Sequence, residues 1–179
     1  MPRAVPLAFA AIAFGLAVAA HAQAPAAPPA CADPAHHQFD FWLGEWAVTN
    51  AAGKAAGSSR VEAILDGCVV LEHWTSAKPP VAGKSFNLYN AQSGRWEQFW
   101  VDNAGTRLHL VGGLVDGAMV LRGTRDRPKA HTGPPQRERV TWTPRADGSV
   151  RQLWETSNDD GRTWTVSFDG LYRRPAPGG

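Results

Sequence analysis

Polar and apolar residues alternate with a period of two along most of this chain. In "GRWEQFWVD" one face carries Trp96, Gln98, Trp100 and Asp102; the other carries Arg95, Glu97, Phe99 and Val101. In "RERVTW" Glu138, Val140 and Trp142 oppose Arg137, Arg139 and Thr141. In "VRQLWET" Val150, Gln152, Trp154 and Thr156 oppose Arg151, Leu153 and Glu155. Successive side chains of a strand point to opposite faces, so this pattern predicts strands rather than helices. Turn signals such as "LDG", "NAQSG", "DNAG", "VDG" and "PRADG" recur about every 8 to 14 residues. They place strands at about 45–50, 57–65, 68–76, 83–90, 94–102, 105–115, 118–125, 136–144, 149–157 and 162–173.

Ten short strands joined mostly by tight turns form a meander. A meander of this length stacks as a sandwich or closes as a barrel, and closure removes its exposed edges. The expected fold is an all-β antiparallel up-and-down barrel of about ten strands. One helix precedes it: in "DPAHHQFDFWLG" Asp33 caps, Pro34 takes the first helical position and Gly44 ends a run of one to three turns. Phe39 and Trp42 then share a face. The long polar connection "DRPKAHTGPPQ" reads as a surface loop, possible as a lid over one barrel mouth.

The charge-rich face of each strand belongs in solvent, because isolated buried charges are costly. The inward set is then unusual, with Trp beside Gln or Glu. It comprises Gln98, Trp100, Trp142, Gln152 and Trp154, together with Glu138; the same polarity turns Glu72 and Trp74 inward, and Ser85, Asn87 and Tyr89 with them. Aromatic walls with a few placed polar groups resemble a small-molecule pocket, with Glu72, Trp74, Tyr89, Gln98, Trp100, Trp142, Gln152 and Trp154 as its candidate residues. A filled core stays open beside that reading, each indole N–H then being satisfied by a side-chain amide. The chain has eight Trp, many rings to pack without gaps.

The N-terminus changes the compartment. Arg3, the apolar run "LAFAAIAFGLAVAA" and Ala20-His21-Ala22 form a signal-peptide pattern over residues 1–22, with the mature chain starting at Gln23. The Ala/Pro-rich stretch 23–30 is a spacer, and 31–179 is a single domain in the periplasm or outside the cell. No membrane span is expected after cleavage. Net charge is +2, with basic and acidic residues interspersed, so nucleic acid is excluded as a partner. The two cysteines, Cys31 and Cys68, form a disulfide in an oxidising compartment, unless Cys68 is a small buried apolar residue.

The segment "FDFWLGEWAV" resembles the Gly-x-Trp opening of the calycin superfamily, here Gly44-Glu45-Trp46. That resemblance implies that Trp46 lies at the closed end of a barrel and that an Arg from the last strand covers it. "FDGLYRRP" supplies Arg173 or Arg174, and Arg173 is named for the role. More specifically, "FDFWLGEW", "DGCVVLEHW", "GRWEQFWVDNAG", "RVTWTPRADGSVRQLWETSNDDGRTW" and "FDGLYRR" are similar to a bacterial family known as domain of unknown function 1579. It implies a lipocalin-like barrel and no established activity. Nitrobindins, a related ten-stranded branch, hold haem through a His near the chain end. Here the last two strands contain no His, so no cofactor is predicted; haem would need His73, His109 or His131.

Other chemistry fades on inspection. His36 and His37 are adjacent on a helix and make a poor chelate, so they read as a structural surface pair and no metal is expected. "SNDDGRTW" (157–164) fits the Asp-box pattern of sialidase propellers, but one copy in a short chain makes a turn between the last two strands, away from any active site. Three functions stay open. They are an exported carrier or sensor of a small, partly apolar molecule; an enzyme using inward Glu72, Glu138 or His residues on a cyclic or sugar-like substrate; and a filled envelope module.

Overall fold

A computed structural model describes Met1, residues 30–125 and residues 134–176. Residues 2–22 of the signal-peptide pattern, residues 23–29 of the spacer, and residues 126–133 of the long connection, with His131, lie outside the described residues.

Ten strands follow one another: β1 (Gly44–Asn50), β2 (Ala55–Ile64), β3 (Val69–Ser76), β4 (Ala82–Asn90), β5 (Arg95–Asp102), β6 (Arg107–Val115), β7 (Ala118–Arg125), β8 (Gln136–Pro144), β9 (Val150–Ser157) and β10 (Thr165–Arg173). Each pairs antiparallel with its sequence neighbours, and β1 pairs with β10, so the sheet closes into a barrel. This is the calycin-like, or lipocalin-like, architecture: an all-β up-and-down barrel preceded by short helical turns. Closure leaves no edge strand among the described residues to pair with another chain. Register shifts at Val48/Thr49 and Val166/Phe168 absorb an extra residue beside the closing seam.

The expected helix is two single 3-10 turns, Pro34–His37 and Asp40–Trp42. Asp33 caps the first, accepting from Ala35 N at 2.9 Å and His36 N at 3.4 Å. Phe39 breaks the run at φ −106, ψ 5, which turns its ring inward against Trp42; the ring centroids lie 5.0 Å apart. Packing of these two rings into the barrel end outweighs continuation of the helix. His36 is not a surface residue, as the sequence suggested: it is buried, edge-on to Tyr89, and its Nδ1 pairs with Asp33 at 2.8 Å. His37 is exposed and pairs with Asp40.

Cys31 and Cys68 are joined, with Cα atoms 5.2 Å apart, which ties the start of the domain to the β2–β3 turn. Among the described residues no helix is long and apolar enough to cross a membrane.

Candidate functional site

Parity decides which side chains enter the barrel; height along the strand decides what they meet. Upward from the end plugged by the 3-10 turns, β3 presents Val70, Glu72 and Trp74. β5 presents Trp96, Gln98 and Trp100, and β9 presents Val150, Gln152 and Trp154. Three strands thus repeat an order of apolar, polar, then Trp. The interior has three layers.

The lowest layer is solid. Phe39 and Trp42 enter it from the 3-10 turns and meet Trp96, Trp142 and Tyr172, and Leu110, Met119 and Leu121 are fully buried with them. Trp46 donates its indole N–H to Trp42 O at 2.8 Å, and Trp96 to Gln38 Oε1 at 3.1 Å. Arg174, not Arg173, covers Trp46, with its Cζ 3.8 Å from the ring centroid. Arg174 has the parity of Phe168, Gly170 and Tyr172; Arg173 faces out. Two residues picked from the sequence, Tyr89 and Trp142, sit at this end and not in the lining of the cup described below: Tyr89 packs on Trp96, and Trp142 on Phe39.

The middle layer is polar and hydrogen-bonded. Ser59 and Ser85 donate to the two oxygens of Glu72 at 3.1 and 3.0 Å. Asn87 Nδ2 donates to Ser85 Oγ and to Val70 O, and Gln98 Nε2 donates to Asn87 Oδ1 at 2.8 Å. Glu72, Asn87 and Gln98 are buried. Burial pushes the Glu72 carboxyl up to about 7, against the two serine hydrogen bonds that favour its charge. Tyr172 donates to Gln152 Oε1 on the neighbouring strand β9; burial, and then the nearby Glu72, raise its phenol well above its ordinary range.

Above this layer the barrel opens into a cup of about 260 Å³, lined by Trp74, Trp100, Trp154 and Phe168, with Ser167 at its side and Gln152 and Tyr172 below. Trp74, Trp100, Gln152 and Trp154 are brought together here as a group; Glu72 and Gln98 lie buried in the layer beneath. Phe168, Ser167 and Tyr172 were missed as cavity residues, although their position on the last strand was readable. Two walls are held by side-chain acceptors. Trp154 donates to Glu138 Oε2 at 2.6 Å, and Trp100 to Asp102 Oδ2 at 3.3 Å. Glu138 is 1% exposed and forms an ion pair with Arg125, 2.9 Å away; burial raises its carboxyl, opposed by the Trp154 bond and the Arg125 charge.

The octet 157–164 is a turn between β9 and β10, and none of its residues lines the cup. β10 begins at Thr165, so Trp164 precedes the strand instead of belonging to it. Ser157 Oγ donates to Asp159 Oδ1 and accepts from Gly161 N, both at 2.8 Å, and Asp159 also accepts from Thr163 N and Oγ1. Asp160 pairs instead with Arg137. The turn sets the register in which Trp154 lies opposite Phe168, both of them cup walls.

His73 and His109 are on the outer face, 2.9 Å from Glu62 and Glu97 respectively, so neither points into the lumen. Among the described residues no group of three or more His, Cys, Asp and Glu is placed to hold a metal ion. No family model matches the chain, and no curated protein matches it.

Proposed function

We propose that this protein is an exported carrier or sensor that binds a small, partly apolar molecule in the aromatic cup. The observation that carries this reading is the unequal filling of the barrel. The lower half is packed with rings to near-zero exposure, whereas the upper half leaves about 260 Å³ between Trp74, Trp100, Trp154 and Phe168. A barrel serving only as an envelope module gains nothing from an unfilled aromatic layer, since voids cost stability. Glu72 and Gln98 support the cup from below. We further propose, on the five stretches quoted above, that the chain is a member of the lipocalin-like family known as domain of unknown function 1579. Export is supported by the Cys31–Cys68 disulfide and by the signal-peptide pattern.

Native mass spectrometry of protein taken from its own host tests the reading. A co-purified small molecule should appear, should quench tryptophan emission on rebinding, and should be lost in Trp100→Ala. A ligand-free protein whose emission no small-molecule panel perturbs would overturn it. Export predicts a mature N-terminus at Gln23, read by N-terminal sequencing.

A further inference from the structure

Three of the four aromatic walls share a support absent from the solid layer below. A Cβ added at Gly83 would overlap the Trp100 ring; one added at Gly170 would overlap Phe168; one added at Gly57 would stand 2.8 Å from Trp74 Cζ2 and Cη2. Each glycine lies within a strand, where glycine costs stability and marks a close approach. Here the close approach is an aromatic ring lying back over bare backbone. Rings in that position vacate the barrel axis, so the glycines are what hold the cup open.

The cup's chemistry is as restricted as its shape. No lining residue carries a charge. A charged guest would be desolvated without a partner, at a cost of several kcal/mol on the order given for buried ions. Three polar groups of the lining, the Gln152 amide N–H2, the Trp74 indole N–H and the Ser167 hydroxyl, have no side-chain hydrogen bond among the described residues, and Gln152 is the one at the cup floor. The Gln152 amide spends its oxygen on the Tyr172 hydroxyl, while its N–H2 takes no partner among the described residues. The space equals about nine water molecules, at roughly 30 Å³ each.

We infer that the cup takes a neutral aromatic molecule of about two rings bearing one hydrogen-bond acceptor, which Gln152 meets with its amide N–H, and that Gly57, Gly83 and Gly170 set the space available. This rests on the cup being the binding site and adds the class of its ligand. Edge and face contacts of Trp and Phe favour an aromatic guest over an alicyclic one of equal size.

Four bicyclic probes separate the features by calorimetry and tryptophan emission: coumarin (aromatic, neutral, carbonyl), naphthalene (no acceptor), 2-decalone (carbonyl, no aromatic ring) and coumarin-3-carboxylate (charged). Coumarin should bind about tenfold more tightly than each of the others, which corresponds to about 1.4 kcal/mol, the scale of one good hydrogen bond. Gln152→Glu keeps the acceptor for Tyr172 but removes the N–H; it should weaken coumarin by a larger factor than naphthalene, so that coumarin's advantage over naphthalene is lost. Gly83→Ala should weaken both while the melting curve stays cooperative. If Gly83→Ala fails to fold, the probe series and Gln152→Glu decide alone. Preference for 2-decalone or the carboxylate, or for an acyclic molecule recovered from the host, overturns the ligand class and leaves the carrier reading standing. Silence toward every probe and toward a host small-molecule extract overturns both.

Discussion

Arg174 lies flat over Trp46, its Cζ 3.8 Å from the ring centroid, and the same guanidinium occupies the space where a side chain at Gly44 would stand. Gly44 also has φ +122, a backbone region open to glycine. One residue from the end of the last strand thus locks the start of the first strand at the plugged end.

Arg174→Ala should therefore lower unfolding free energy by about 0.5–2 kcal/mol, the span for a cation over an indole, whereas Arg173→Ala should leave it nearly unchanged. Gly44→Ala should cost more than Arg174→Ala, because it strains the backbone and displaces the guanidinium as well. Urea denaturation followed by tryptophan emission reads all three. Equal effects of the two arginine variants would refute the assignment.

Glu138 serves two partners at the cup's side. Glu138→Ala strands the Trp154 N–H and the Arg125 guanidinium, and should cost roughly 2–4 kcal/mol, less than a fully buried pair because Arg125 is one-third exposed. Glu138→Gln retains an acceptor and should cost less. Red-shifted emission in the alanine variant alone would show that Trp154 has been released toward water.

Glu72 gives stability an unusual slope with pH. Its ordinary value is 4.5 and its folded value is about 7. Below 4.5 both states hold the proton and the carboxyl exerts no effect. Between these values the folded chain holds a proton that the unfolded chain has released, so stability falls as pH rises, and the loss is complete above about 7, on the order of 3 kcal/mol. Glu72→Gln should flatten that stretch of the profile and melt higher than wild type at pH 8. Superimposable melting curves of the two proteins from pH 5 to 8 would contradict it.

The turn after β9 shows the opposite sign. Hydrogen bonds from Thr163, from the side chain first and then the backbone, hold the Asp159 carboxyl well below its ordinary range. Its contribution is present above about pH 4 and is lost as pH falls. Asp159→Ala should lower the melting temperature at pH 7 and perturb the emission of the cup tryptophans, since Trp154 and Phe168 depend on that register. A melting point that drops with unchanged emission would mean the turn is mechanically separate from the cup.

Reduction of the Cys31–Cys68 bond frees a loop of 37 residues in sequence separation, and the chain-entropy account puts the loss at about 4 kcal/mol. Melting in dithiothreitol and of Cys31→Ser should agree within that range.

Much of the site was legible as parity. Every strand whose faces were separated by charge has its uncharged or Trp-bearing face inward, because solvating Arg and Lys is cheaper than burying them. The same parity names Arg174 over Arg173, once Tyr172 is placed inside. Height within the barrel was not legible. Trp142 and Trp154 read alike in sequence, yet one is sealed in the plug and the other lines the cup. What separates them is where Phe39 and Trp42 dock, a contact between residues about a hundred positions apart in the chain.

The sequence by itself determined that this chain is a ten-stranded antiparallel meander with a Trp-rich interior, because period-two patterning and turn residues are local properties of the backbone. Only the tertiary structure decided that half of the interior is filled and half is open. That outcome depends on which rings rest on the glycines of neighbouring strands and which meet the N-terminal plug, and neither pairing exists until the barrel has closed.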